Sequence, residues 1–173
     1  MEKVLPGLLM LSLALVVFAL LAVGWRNRLR RQSDVDPLPE VPDALGAPLA
    51  AADGQYVAST TAGDWLDRIA VNSLGIRTNA ELSVHPEGVL FERSGAVPVF
   101  IPAGQLTGVR QDSGMAGKFV EKDGLLVLSW MLGARELDSG FRTRRAQDKA
   151  PLFQALQELI SAAPQANAAD SGK

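Results

Sequence analysis

His85 is the only histidine among 173 residues, and a lone imidazole is the first group to weigh for general acid–base work. It precedes Pro86, on the polar side of a short alternating run. A catalytic base needs a nucleophile and an orienting partner within reach. No such spacing surrounds it, so the sequence assigns His85 to an exposed surface. Asp64 and Asp67 are close enough to form a paired carboxylate. The plainer reading makes one a helix cap and the other a partner for Arg68 or solvent. Residues 114–118 read GMAGK and resemble part of a phosphate loop. The full motif needs glycine at 112 and Ser or Thr at 119, between a strand and a helix. The chain has Asp112 and Phe119 there, so the segment reads as a hairpin loop. Cysteine is absent, which removes disulfide frameworks and thiolate metal sites. The sequence assigns no catalytic residue, no metal ligand and no cofactor, and an enzyme is not expected.

The remaining chemistry is that of charge. Arg68 and Arg77 lie between the first two expected strands, offset by Asp64 and Asp67. Arg142, Arg144 and Arg145 form a second small cluster before the last helix. It reads as a solvated face or a surface for an acidic partner. Between residues 54 and 163 eleven Lys/Arg stand against twelve Asp/Glu, so the region is nearly neutral. Phosphates are held by clustered, charge-assisted donors. That balance argues against specific phosphoinositide binding, and it argues against nucleic acid as well.

These groups must be positioned by the elements around them, and the first element is an apolar stretch. Residues 4–25 read VLPGLLMLSLALVVFALLAVGW, without a charge. About twenty such residues match the roughly 30 Å hydrocarbon core of a bilayer, and no polar face is present. Trp25 stands where an interfacial aromatic belongs, followed by Arg26, Arg28, Arg30 and Arg31. Positive flanks stay cytoplasmic. The expectation is a single-pass plasma-membrane anchor with the N-terminus outside and the C-terminal domain in the cytoplasm. A cleaved signal peptide is the competitor, but its charge would precede a shorter apolar core.

Residues 26–31 are the juxtamembrane basic segment. Residues 32–53 carry prolines at 37, 39, 42 and 48 and several acids, without period, and read as an extended spacer. From Gly54 short alternating runs begin. A first strand has Tyr56, Ala58 and Thr60 on one face, and 64–69 reads as a helical turn. Further strands are expected at 81–85, 89–93, 97–101 (an edge, because of Pro98), 105–111 (with a bulge at Gly108), 124–132 and 135–141. Residues 112–123 read as a long loop. Leu152, Phe153, Leu156, Leu159 and Ile160 recur at helical spacing, with Asp148 as cap and Pro164 as stop. Residues 164–173 read as a disordered tail. In the strand at 124–132, Leu125, Val127 and Met131 point away from the core side. Either the 112–123 loop covers them or a partner does.

About seven antiparallel strands followed by one amphipathic helix is the order of a pleckstrin-homology-like (PH-like) domain, here expected over residues 54–163. The chain also resembles the actinobacterial membrane-anchored PH-like proteins, often described as transporter or export proteins. The resemblance is carried by the anchor with RNRLRR at 26–31, by DWLDRI at 64–69, GLLVLSW at 124–130 and GFR at 140–142. It implies a mainly-β barrel or sandwich of seven antiparallel strands closed by the C-terminal helix, together with one transmembrane helix. It brings no catalytic residue. The closing helix of familiar eukaryotic relatives carries a tryptophan where this chain has Phe153. The function expected is a membrane-anchored scaffold for protein interaction, its partner a protein the sequence does not name. The alternatives are an auxiliary transporter subunit or a weak binder of anionic lipid.

Overall fold

The computed structural model describes residues 4–31 and 36–163, in two compact units, Met1–Asp34 and Val35–Lys173. The first is helix α1, Val4–Arg31, of 28 residues. Its large apolar side chains from Leu9 to Val23 are exposed all round the helix. Among the described residues no helix is long and apolar enough to cross a membrane. The run with described side chains, 9–24, is about 24 Å long against a core of roughly 30 Å. Arg26 is exposed. The side chains of Trp25, Arg28, Arg30 and Arg31 lie outside the described residues, as do Pro164 and the tail.

Among its described residues the second unit has ten strands, one α-helix and three single-turn 3-10 helices. Strands β1 (Ala50–Thr61), β2 (Asp64–Arg68), β3 (Thr78–His85), β4 (Gly88–Arg93) and β5 (Val99–Pro102) come first. Then follow β6 (Leu106–Asp112), β7 (Gly114–Met115), β8 (Lys118–Phe119), β9 (Leu125–Leu132), β10 (Arg135–Thr143) and helix α2 (Lys149–Ala162). One antiparallel sheet runs β5-β4-β3-β1-β10-β9-β6, with β2 added beside β1, while β7 and β8 form a separate hairpin. The edges are β5, next to Pro98 and expected there, and β6, which carries the bulge expected at Gly108 as a register shift between Leu106 and Gly108.

Side chains from both halves of this sheet share one core. Leu82, Val84 and Phe91 meet Leu126, Leu128, Trp130 and Phe141, so the sheet curls on itself. Helix α2 closes the interior with Leu152, Leu156 and Leu159, and Gln154, Gln157 and Glu158 face solvent as the spacing requires. Asp148 does not cap it. Its carboxylate accepts from Arg145 Nε at 3.0 Å.

A polar chain crosses this core. Tyr56 Oη lies 2.7 Å from Ser59 Oγ and donates to Leu74 O at 3.1 Å. Ser59 Oγ meets Ser139 Oγ at 2.6 Å, and Trp130 Nε1 donates to Ser139 Oγ at 2.9 Å. Burial pushes the Tyr56 phenol up to about 12, against the opposing pull of the Ser59 hydroxyl and the Arg93 charge. The unfolded chain ionises tyrosine near 10, so this contribution is intact below that pH. It is lost as pH rises from about 10 to 12, by up to about 3 kcal/mol. Tyr56 is the only tyrosine. Urea denaturation at stepped alkaline pH should show the fall, and Tyr56→Phe should flatten it.

Three expectations are corrected here. Residues 64–69 are not a helical turn. Asp64–Arg68 is a strand paired with β1, opened by Asp64 Oδ1 accepting from Leu66 N at 3.1 Å and Asp67 N at 3.2 Å. Only Ile69 is buried, while Trp65 and Leu66 are exposed.

Residues 32–53 are not wholly a spacer. Strand β1 starts at Ala50, four residues before Gly54, and pairs with β3 throughout 50–56. Upstream of it Leu38 packs on the core, the Asp36 carboxylate sits where a Gly133 Cβ would stand, and Leu49 N donates to Val84 O at 2.8 Å. Prolines remove periodicity without preventing packing. Residues 32–35 lie outside the described residues.

The apolar outer side of β9 is covered from within the chain. Leu125 and Val127 are buried with Val57 and Met115 in a second small core, Ala116 and Val120 packing on it. Gly140 provides the room, since a Cβ there would stand 2.4 Å from Met115 Sδ. Leu125 and Val127 therefore offer no partner surface, and Met131 is only half-buried.

Candidate functional site

The sheet's outer face carries two adjoining grooves, about 570 Å³ and about 430 Å³, which share Gly54, Asn79 and Arg144 as lining. Strand pairing sets what they display. Asp53 stands opposite Glu81, and Glu81 opposite Glu92, so three exposed carboxylates form a row across β1, β3 and β4. This row lines the larger groove. The smaller is flanked by Arg142, Arg144 and Lys149 against Glu121. Arg77 reaches it through a hydrogen bond to the Gln55 side chain.

The three arginines expected to act together have different situations. Arg142 forks onto Glu121 with Nη2–Oε2 at 2.7 Å. Arg145 pairs with Asp148 at 3.0 Å. Arg144 is exposed, its backbone N–H fixed to Asp53 O at 2.8 Å. Among the described residues its guanidinium has no ion pair. It is the basic group placed between the two grooves.

A second polar cluster escaped sequence reasoning. Arg110 donates to Asp138 through Nη1–Oδ1 at 3.1 Å and Nη2–Oδ2 at 2.8 Å, and Ser129 Oγ donates to Oδ1 at 2.6 Å. Burial would raise the Asp138 pKa. The bonds from Arg110 and Ser129, the Arg110 charge and the Gly63 N–H outweigh that and hold it below the usual carboxylate range. The contribution is thus present at neutral pH and lost as pH falls through that depressed value. These residues come from β6, β9 and β10, so no local spacing announced them. The legible signal was a lone aspartate within the Leu137–Phe141 run. Breaking a buried pair costs roughly 3–5 kcal/mol, but Arg110 is nearly half exposed, which screens its charge. Asp138→Ala is therefore expected to cost about 2 kcal/mol. In a denaturation cycle with Arg110→Ala, the double variant should cost less than the sum of the singles.

The other candidates are structural. His85 is not exposed: 6% of it is accessible. Nδ1 lies 2.7 Å from Gly46 O, which can only accept, so Nδ1 carries the hydrogen, and Nε2 meets Ser83 Oγ at 3.0 Å. Segment 36–49 supplies the carbonyl that covers it. Asp64 and Asp67 do not pair as acids, since Asp67 Oδ2 accepts from Thr61 Oγ1 at 2.7 Å. Residues 114–118 belong to the β7–β8 hairpin, turned by Ala116 and Gly117 at φ 53° and 75°. Arg68 donates to Gly75 O and Ala116 O, while Arg77 donates to the Gln55 side chain. Among the described residues no group of three or more His, Asp or Glu is arranged to hold a metal.

A family model described as bacterial PH domain-like matches residues 35–157. No curated protein matches the chain. Among solved structures, a chain of "The 8S snRNP Assembly Intermediate" is similar at 7% identity, covering 80% of this chain and 97% of that one, TM-score 0.47. Vav1 bound to an allosteric inhibitor is similar at 18% identity, covering 79% of this chain, TM-score 0.41. This chain spans 33% of that Vav1 chain. The C-terminal domain of an unknown protein from Leishmania infantum is similar at 12% identity, covering 64% and 84%, TM-score 0.39.

Proposed function

From the premise that the chain belongs to the bacterial PH domain-like family, we propose a non-catalytic interaction scaffold. In this reading α1 anchors it in the plasma membrane and its domain works on the cytoplasmic side. The apolar run of residues 4–25 inside a 28-residue helix supports the anchor. The arginines at 26, 28, 30 and 31 support the orientation. The observation that carries the interaction role is the pair of outer grooves meeting at Arg144, a cation with no internal ion pair among the described residues. Arg144, with Arg77 nearby on the same groove, suits an acidic protein segment, because exposed guanidinium forks recognise carboxylates in planar, bidentate pairs, whereas the Arg142 fork is already taken by Glu121. Fold-level analogy adds that such scaffolds recognise peptides in grooves or along strand edges.

The test is affinity capture from gently solubilised native membranes, with full-length protein and with a fragment of residues 35–163. The same protein is expected from both. Arg144→Glu should reduce its capture at least about tenfold, since it puts a like charge where an opposite one was. Recovery only with α1 present, lost when α1 is replaced by poly-leucine, would move the contact into the bilayer and favour an auxiliary transporter subunit.

A further inference from the structure

We propose that a cavity between β2 and the β6–β7 corner receives an arginine side chain from a partner protein. The cavity holds about 330 Å³, and Trp65, Arg110, Asp112 and Asp138 are among its lining. It shares no lining residue with the two grooves that meet at Arg144, so it is a separate site. Its volume is at the low end of the roughly 300–1,000 Å³ of ligand pockets, which suits one long side chain.

The walls are fixed. Ala116, at the turn of the β7–β8 hairpin, donates through N to Trp65 O at 2.9 Å and accepts from Arg68 Nη2 at 3.0 Å. The hairpin is thereby tied to β2. At the β6–β7 corner Asp112 Oδ1 accepts from Ser113 N at 2.7 Å and Gly114 N at 3.3 Å, which orients the carboxylate. A preformed site of this kind loses little to ordering when it binds.

Charge and shape select the occupant. Two carboxylates and one guanidinium line the cavity, so its formal charge is negative. The Arg110 fork is already engaged with Asp138 and Ser129, which leaves no planar pair for an anion. Asp112 differs. Its Oδ2 meets Arg110 Nε at 3.7 Å, beyond hydrogen-bond length, and its side chain is nearly half exposed. That oxygen can accept from an arriving cation. Trp65, 44% exposed, adds an indole, the best aromatic partner for a cation. Thr60 stands opposite Asp138 in register, hence on the same side of the sheet. It is wholly buried, and its hydroxyl has no partner among the described residues, which leaves a further acceptor there. A guanidinium can stack on indole while it donates in its plane to a carboxylate, and an ammonium lacks that flat face.

The test is fluorine NMR on full-length protein in detergent micelles, with 5-fluorotryptophan at all three tryptophans. Trp65→Phe and Trp130→Phe assign the resonances. The probes are N-acetyl-arginine methylamide and its neutral citrulline analogue. The Trp65 resonance is expected to move saturably with the arginine probe. Citrulline should bind at least about fivefold more weakly, and Asp112→Asn should weaken the arginine probe by a similar factor. Arg144→Glu should leave the titration unchanged, so failure here and failure of the scaffold reading are told apart. Citrulline binding as tightly as arginine, or a Trp65 resonance that never saturates, overturns the inference. Unchanged affinity in Asp112→Asn, with the Trp130 resonance in its native place, overturns it too. The comparison of probes uses the unaltered chain, and so decides the question even where Asp112→Asn disturbs the corner.

Discussion

A fragment that begins at Gly54 is expected to lose on the order of 5 kcal/mol relative to one that begins at Val35. Truncation there cuts through β1 and removes the pairs Ala50–Val84, Ala51–Ser83, Ala52–Leu82 and Asp53–Glu81. Each ladder hydrogen bond contributes about 1 kcal/mol net. The Asp53 carbonyl that holds Arg144 N–H goes as well. So do the Leu38 packing and the Gly46 carbonyl over His85, leaving a buried imidazole N–H unpaired. A domain of this size has about 5–15 kcal/mol in total. The Gly54 fragment should therefore lack a cooperative urea transition or show a midpoint near zero, while the Val35 fragment unfolds in one step. Equal midpoints would mean that segment 36–53 merely lies on the surface.

Trp130→Ala is expected to cost about 4 kcal/mol. Trp130 is fully buried where the two halves of the sheet meet, so truncation leaves a large cavity among neighbours that the surrounding strands hold apart. It also takes the indole N–H from Ser139 Oγ, which is the last link of the chain from Tyr56. Trp130→Phe keeps much of the volume and loses the hydrogen bond, and should cost roughly half as much. Denaturation midpoints of the two variants separate packing from the polar link. If both variants cost the same, the hydrogen bond accounts for the whole effect and the packing argument fails.

What the sequence made legible was the part governed by local spacing. The faces of α2, the bulge near Gly108 and the edge at Pro98 follow from periodicity and backbone chemistry, and each lies where those rules put it. What it hid depends on contacts distant in sequence. Trp65, Leu66 and Ile69 have a helical spacing, yet β1 leaves its second half unpaired by β3 and takes Asp64–Arg68 as a strand. Residues 36–49 have no period because prolines interrupt them, while single side chains such as Leu38 and Asp36 still dock. His85 has polar-face parity and is buried only because the carbonyl of Gly46, 39 residues away, covers it. The doubly apolar β9 was a correct anomaly whose resolution needed Met115. For the site, the cluster Arg142, Arg144 and Arg145 was visible. Which of the three lacks an ion pair among the described residues was not, because Glu121 and Asp148 settle that through the fold.

The central claim is a PH-like domain held at the cytoplasmic face of a membrane by its N-terminal helix. Alkaline carbonate extraction of native membranes, followed by protease treatment of intact cells stripped of their wall and of inside-out vesicles, addresses it most directly. Full-length protein is expected to stay in the carbonate pellet, with its domain digested only in the inside-out vesicles. Release into the carbonate supernatant, or digestion from the outside of intact cells, would contradict the account.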